Sequence, residues 1–417
     1  NRRPAILADL QGPKIRTGRT EGDNPVVLIK GRTVTIRPGN GLCTDTDIYV
    51  DYAKLADEAC DNQHILINDG AVDLKVTKVV KKEKALVCTV LNTGSYSSHK
   101  GVNLPRCELS IPSMTAKDRW DLAFIFKHEF HYIALSFVRK PGDLAGVVSA
   151  VKRSKRSVKV LAKIEKPEAA ECIDAILDAC DGIMVARGDL GVEASLQEVP
   201  VLQKHLISRA NNAGKLVIVA TQMLESMINS AQPTRAESAD VANAVLDRTD
   251  ALMLSGETAV GSYPVKTVSM MVRIIRTIER SDYYPRTFAD LALKHRHPPH
   301  ALCEAAAWAG RDLDDAPVIV FTMSGNTALY LSKVRNQSPI FAFSPNPDIV
   351  SLMALSWNTS PFLIDLDTNL ASLQKKAEKI LLKNRCVKKN DLVLVLGGAT
   401  AVKGATTFLR IKKIGEV

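Results

Sequence analysis

The sequence predicts an α/β protein: a (β/α)8-type barrel interrupted by an all-β unit and followed by a doubly wound α/β domain. Three observations carry this reading. Short runs of Val, Ile, Leu and Ala alternate with helical stretches, as buried parallel strands alternate with crossover helices. From Val26 to about Leu109 the texture changes to alternating apolar and polar residues, broken by turn signals such as Pro38-Gly39-Asn40-Gly41 and Asn68-Asp69-Gly70. A Pro- and His-rich stretch at 282–300 then separates the first α/β series from a second one.

In chain order, Pro4–Leu10 is a strand that stops at Gln11-Gly-Pro-Lys14, since Gly-Pro breaks regular structure. The all-β unit (13–112) interrupts barrel material on both sides, which marks it as an insertion and a candidate lid, with Lys100–Pro105 as its exit hinge. A helix over Ala116–His128, with Ser113 as a candidate N-cap, leads to strand Tyr132–Phe137. Helices over Leu144–Lys152, Glu168–Ala179, Pro200–Asn212 and Pro264–Arg280 alternate with strands ending near Ile164, Ala186, Thr221 and Ser255. These strand ends, with Leu10 and Phe137, make six βα steps, and a barrel of about 250 residues closes with eight strands. The first two strands are therefore expected before Asn1. The domains read as barrel 1–12 and 113–283, inserted lid 13–112, linker 284–300, and C-terminal α/β domain 301–417. The last opens on a helix at Ala301–Arg311 and strand Pro317–Thr322, with further strands at 340–343, 362–365, 391–396 and 407–411.

Composition excludes several classes. At 417 residues, 46% hydrophobic and 24% charged, the chain has soluble globular composition with no membrane-length apolar run, and a cytoplasmic location is expected. Eight scattered cysteines without a C-x-x-C pair argue against a zinc ribbon or a disulfide framework. The net charge of +10 peaks at Lys152–Arg156, where no aromatic side chains interleave, so base stacking and nucleic-acid partners are not expected. His295, His297 and His300 lack the framing Cys or carboxylate of a metal site.

Chemistry concentrates where strands end. Val160–Glu165 and Ile183–Asp189 are apolar runs that stop abruptly in charge, and parallel sheets place such residues on one rim. Lys163, Glu165, Arg187 and Asp189 thereby converge. Hard divalent cations take one or two carboxylates and leave other positions to water and substrate oxygen, so Glu165 and Asp189 form a candidate Mg²⁺ pair, with Mn²⁺ as an alternative, and Lys163 faces an anion. In the C-terminal domain, Thr322, Ser324, Gly325, Asn326 and Thr327 close a strand and open a helix, an arrangement suited to a phosphate or, equally, to a plain helix N-cap at Ser324.

With these residues assembled the chain resembles pyruvate kinase over essentially its whole length. The carriers are Asp9–Gly18 (DLQGPKIRTG), Lys100–Pro105 (KGVNLP), Ala162–Glu165 (AKIE), Met184–Glu193 (MVARGDLGVE), Ala220–Met227 (ATQMLESM) and Met253–Ala259 (MLSGETA). The resemblance implies a TIM barrel with an inserted β lid and a regulatory α/β domain, assembled as a homotetramer, that transfers phosphoryl from phosphoenolpyruvate to ADP. It implies Mg²⁺ on Glu165 and Asp189, and Lys163 as the transition-state cation. Gly188 and Asp189 would offer backbone N–H groups to the substrate carboxylate, with Thr221 near the carbon to be protonated. Ser255 and Glu257 would relay that proton, while Arg16 and Lys100 would meet nucleotide phosphates. The family's opening strand, with an arginine for phosphate and cation ligands, is expected before Asn1. Cation-dependent members typically read Asp-Thr-Lys-Gly-Pro-Glu where this chain reads Asp9-Leu10-Gln11-Gly12-Pro13-Lys14, so Lys14 is expected to replace the monovalent cation, and K⁺ is not expected to be required. A phosphorylated metabolite is an expected effector. Two other readings compete: another phosphoenolpyruvate or pyruvate barrel, which would lack the inserted and C-terminal units, and a catalytically impaired pyruvate-kinase-like regulatory protein.

Overall fold

A computed structural model describes residues 4–107, 109–285, 298–365, 367, 369–398 and 406–416. The chain starts with β1 (Leu7–Asp9) and passes into the β unit: β2 (Val26–Leu28), β3 (Thr33–Pro38), β4 (Asp47–Val50), β5 (His64–Ile67), β6 (Val72–Val80), β7 (Ala85–Val90), β8 (Gly94–Tyr96) and β9 (Val102–Asn103). It returns through β10 (Tyr132–Leu135), β11 (Lys159–Ile164), β12 (Gly182–Ala186), β13 (Leu216–Ala220) and β14 (Ala251–Leu252). The C-terminal series is β15 (Val318–Phe321), β16 (Ile340–Ser344), β17 (Thr359–Leu363), β18 (Leu392–Gly397) and β19 (Phe408–Lys413).

Among the described residues the barrel sheet is six-stranded and wholly parallel, in the order β1-β10-β11-β12-β13-β14. Strand periodicity divides its residues. Ile133, Leu135, Val160, Ala162, Ile183, Val185, Val217 and Val219 pack against the surrounding helices. Tyr132, Ala134, Leu161, Met184, Leu216 and Ile218 face the other way, into a second core shared with the C-terminal domain. Lys163 follows the parity of Leu161, so it emerges on the face away from the helices.

The strands β3 to β7 and β9 form one sheet around a core that includes Leu28, Ile36, Ile48, Ile65, Leu74, Val76 and Leu86. In the C-terminal sheet, ordered β17-β16-β15-β18-β19, only β19 runs antiparallel. Ile319, Phe341, Phe343 and Val395 cover one face with helix Leu370–Lys383. Val318, Val320, Ala342 and Leu396 cover the other with helices Pro298–Asp312 and Asn326–Lys333. Helices on both faces of a mostly parallel sheet are the doubly wound pattern. No helix among the described residues is long and apolar enough to cross a membrane.

Several local expectations shift. The helix at Ala116 is capped by Thr115 rather than Ser113, because Thr115 and Asp118 form a reciprocal capping box. The stretch Glu168–Ala179 breaks at Cys172 into two helices, and the first C-terminal helix starts at Pro298 rather than Ala301. Ser324 is not a cap: Gly325, at φ 82°, precedes helix Asn326–Lys333 and no side chain caps it. His295 and His297 lie outside the described residues.

The two α/β parts are joined by a buried polar junction at the amino ends of β13 and β14. Asp250 pairs with Lys333 at 2.5 Å and with Arg335 at 2.7 Å, all three side chains 0% exposed. Its second oxygen also accepts the Val217 N–H. Burial pushes Lys333 down to about 8 against the pull of Asp250. The Arg335 guanidinium lies over Trp357, whose indole N–H donates to Glu279 of the last barrel helix. Removing the carboxylate strands two buried cations, so Asp250→Ala is expected to lower stability by about 3–5 kcal/mol. Urea unfolding of the two proteins measures this, and a loss below ~1 kcal/mol would mean that water reaches the junction.

Candidate active site

The carboxyl ends of β1, β10, β11, β12 and β13 bring one polar cluster together. Lys163, near the end of β11, holds its ammonium 3.1 Å from Asp9 and 3.0 Å from Glu165, and donates to Ser136 Oγ at 2.9 Å. Burial opposes its charge, but Glu165 and Asp9 outweigh that and hold it above the ordinary lysine range. Glu165 is 1% exposed. Its Oε2 accepts the Phe137 N–H at 2.6 Å. Burial raises the Glu165 carboxyl first, Lys163 opposes that, and the Asp189 charge raises it further. A buried carboxylate and a half-buried one that repel each other fit a divalent cation. Among the described residues no cage of three or more His, Cys, Asp or Glu forms, and hard-oxygen sites completed by water and substrate do not need one.

Asp189 sits in the first turn of helix Arg187–Glu193, directly after β12. Lys14, in the segment that leads from β1 into the β unit, reaches it, Nζ to Oδ1 at 3.0 Å. Gly188 N–H donates to Thr221 Oγ1 at 2.7 Å, and that hydroxyl donates on to the Ala220 carbonyl at 2.6 Å. Thr221 and Gln222 have φ of 70° and 53°, and Phe137, which supports Glu165, has φ 55°. Left-handed backbone is costly for residues with a side chain, and here it turns N–H and hydroxyl groups toward the rim. Gly12, at φ +67°, meets a different need: a Cβ there would lie 2.8 Å from the Cβ of Ser136.

The remaining expected residues lie apart from this cluster or beneath it. Leu10 is buried in the barrel core and offers only backbone, its carbonyl accepting from Ser136 Oγ at 2.7 Å. Ser255 follows β14, and its buried Oγ has no hydrogen-bond partner. Glu257 is 0% exposed and accepts the backbone N–H groups of Leu224 and Ser255, bracing the loops after β13 and β14. Arg16 directs its guanidinium to the His99 carbonyl at 3.1 Å. Lys100 pairs its backbone N–H with Thr17 Oγ1. In the C-terminal domain Thr322 Oγ1 accepts the Gly325 N–H at 3.0 Å, and Thr327 Oγ1 meets Thr406 Oγ1 at 2.9 Å. Asn326 opens the helix there, and Ser324 lines the same loop beside a cleft against the barrel floor.

One contributor is not among the residues the sequence singles out. Ser136 joins Asp9, Leu10 and Lys163; the sequence places it inside a strand over Tyr132–Phe137, but β10 ends at Leu135 and leaves it on the rim. Arg187 pairs with Asp240 at 2.6 Å and donates to the Thr221 carbonyl at 2.9 Å. Arg187, expected to converge on the rim with Lys163, Glu165 and Asp189, therefore fixes the start of its helix instead, because Asp240 and the Thr221 carbonyl hold its guanidinium.

Fold and site together define an α/β-barrel enzyme whose lysine and carboxylates gather at the strand carboxyl ends. Residues 1–268 match the family model for the pyruvate kinase barrel domain, and residues 300–412 match that for the pyruvate kinase α/β domain. The chain is 41% identical over 422 aligned positions to pyruvate kinase 2 of Synechocystis sp., covering 100% of this chain and 70% of that protein. It is 40% identical to the pyruvate kinase of Mycobacterium intracellulare and 38% identical to that of Clostridium acetobutylicum, in each case over 99% of this chain and 86% and 88% of theirs. The chain belongs to the pyruvate kinase family, and it is a phosphotransferase.

The Thr221 hydroxyl can be tested apart from its backbone. Thr221→Val preserves shape and strain while removing the acceptor of the Gly188 N–H. Turnover is expected to fall about tenfold or more, with the melting temperature within a few degrees. Unchanged turnover in a steady-state assay would mean that the hydroxyl is idle.

Proposed function

We propose that the chain transfers the phosphoryl group of phosphoenolpyruvate to ADP, giving ATP and an enolate that is protonated to pyruvate. The observation that carries this is Lys163 held among Asp9, Glu165 and Ser136 on the rim that also carries Asp189. Phosphoryl transfer asks for little covalent help from the protein; it asks for positioning and for positive charge where oxygens become more negative. Lys163 supplies such a charge on a stem that its partners hold still. Glu165 and Asp189 would hold Mg²⁺, or Mn²⁺ in its place, which when bound supplies Lewis-acid neutralisation of the substrate oxygens. The Asp189 N–H orients the substrate carboxylate, while the Gly188 N–H, expected to join it, is held on Thr221 Oγ1 and sets the start of the helix. Thr221 is assigned to the side from which the enolate is protonated, and Ser255 to passing that proton on. Glu257 acts by bracing Leu224 and Ser255.

The β unit is read as a lid that closes over the nucleotide, with Arg16 and Lys100 at its two joints toward the phosphates. The loop Thr322–Thr327 is read as an effector-phosphate site, supported by its place after β15, where the strand order reverses. Exposed Val265, Val268 and Val272 along helix Pro264–Arg280 support assembly as a homotetramer.

Lys14 takes the place of the monovalent cation. Its ammonium stands 3.0 Å from Asp189, so it supplies a fixed positive charge on that side of the site. The unmodified enzyme, completed by any residues upstream of Asn1, is expected to be fully active without K⁺, and Lys14→Glu to acquire K⁺ dependence. Assays in buffer free of K⁺, Na⁺ and NH₄⁺ measure both, and strong stimulation of the unmodified enzyme by K⁺ would overturn this role.

For the reaction itself, Lys163→Met is expected to lower turnover by at least a thousandfold while phosphoenolpyruvate affinity stays near normal, since the charge matters most as the phosphoryl group moves. A coupled assay of pyruvate formation reads the effect. A loss under about tenfold would remove the lysine from the transition state.

A further inference from the structure

The chain enters and leaves the β unit through two segments that pair antiparallel. Val102 N–H donates to the Ile15 carbonyl, Thr17 N–H donates to that of Lys100, and Arg16 bridges Gly101. Any swing of the unit bends this pair. Both segments also reach the helix that carries Gly188 and Asp189. Lys14, on the incoming segment, meets its first turn at Asp189. Asn103, on the outgoing segment, meets its last residue: Nδ2 donates to Glu193 Oε1 at 2.8 Å.

The second contact is buried. Asn103 is 5% exposed, and the Glu193 side chain 3%. The other carboxylate oxygen of Glu193 takes the Lys166 ammonium at 3.0 Å, and Lys166 directly follows Glu165. Charge is therefore balanced between Glu193 and Lys166 without Asn103. The amide adds direction: it ties the end of β9 to the helix without introducing another charge. It also carries a cost, because Asn103 Oδ1 is buried without a hydrogen-bond partner. An apolar residue, such as Val102 beside it, would pack there without stranding a polar atom. The hydrogen bond to Glu193 is what the amide provides and an apolar side chain would not.

We propose that Asn103 is a positioning residue. Through Glu193 and Lys166 it fixes the pose of the hinge relative to the helix bearing Gly188 and Asp189, so that lid closure over nucleotide meets a correctly placed substrate site. This rests on the reading of the β unit as a lid. Closure is what the residue governs, so its loss falls on the nucleotide and leaves phosphoenolpyruvate binding in the open enzyme alone.

Steady-state kinetics and direct binding on the full chain test it, with Arg16→Ala as the reference for the lid itself. Asn103→Leu, and the smaller Asn103→Ser in case the first does not fold, are expected to raise KM for ADP about tenfold, the effect of losing one hydrogen bond to a charged group. The phosphoenolpyruvate dissociation constant without nucleotide should stay within twofold. Adding Glu193→Gln to Asn103→Leu should raise KM for ADP no further than Glu193→Gln does alone, because the link is already broken. An ADP KM within twofold of the unmodified enzyme, while Arg16→Ala raises it, would overturn the latch and leave the lid standing. Equal losses in phosphoenolpyruvate affinity and ADP KM would also overturn it, as damage to the general fold. If Arg16→Ala leaves ADP untouched as well, the lid reading fails first.

Discussion

A buried carboxylate, Glu165, held beside a second one, Asp189, whose charge adds to the burial that raises its proton affinity, is the constraint on which the rest of this structure depends. Glu165 is almost wholly buried and feels the Asp189 charge. Such a pair persists only where compensating groups are fixed around it. Lys163 and the Phe137 N–H compensate Glu165, and Lys14 compensates Asp189. Each compensator sits at or just beyond a strand end or hinge, and the strained backbone at Phe137, Thr221 and Gln222 lies just past the carboxyl ends of β10 and β13. The strain is local, and a parallel sheet buried on both faces is stiff enough to hold it.

Helix Arg187–Glu193 links this electrostatic constraint to movement. Its first residue is anchored to Asp240 and the Thr221 carbonyl, and its last to Lys166 and Asn103. Asp189 lies between these anchors. At the other end of the sheet, Asp250 fastens the amino ends of β13 and β14 to Lys333 and Arg335 of the C-terminal domain. Helix Asn326–Lys333 therefore runs from the loop after β15 to that junction. The barrel strands thus have a reacting rim at one end and a domain contact at the other.

Much of this was legible because it is written in short range. Apolar runs such as Val160–Ile164 and Ile183–Ala186 mark buried parallel strands, and charge directly after them marks the rim, which is how Lys163, Glu165 and Asp189 were found. Period-two alternation marked the β unit in the same way. Caps were less legible. Ser113 and Ser324 are both acceptable cap residues, but Thr115 prevails because Asp118 reciprocates, and Gly325 because the turn there requires positive φ. Pairings between distant segments left no local trace. Asn103 and Glu193 are 90 residues apart and Lys333 and Asp250 are 83 apart, and nothing around either member indicates its partner. Ser136 falls inside the apolar run Tyr132–Phe137 and reads as part of the strand, so nothing local sets it on the rim.

The central claim is that Glu165 and Asp189 form a divalent-cation site. Titration of Mn²⁺, as a paramagnetic stand-in for Mg²⁺, into the unmodified chain and into Glu165→Gln, followed by electron paramagnetic resonance, tests it most directly. The account predicts saturable binding that weakens about tenfold or more when one carboxylate becomes an amide. Equal affinity in the two proteins would contradict it.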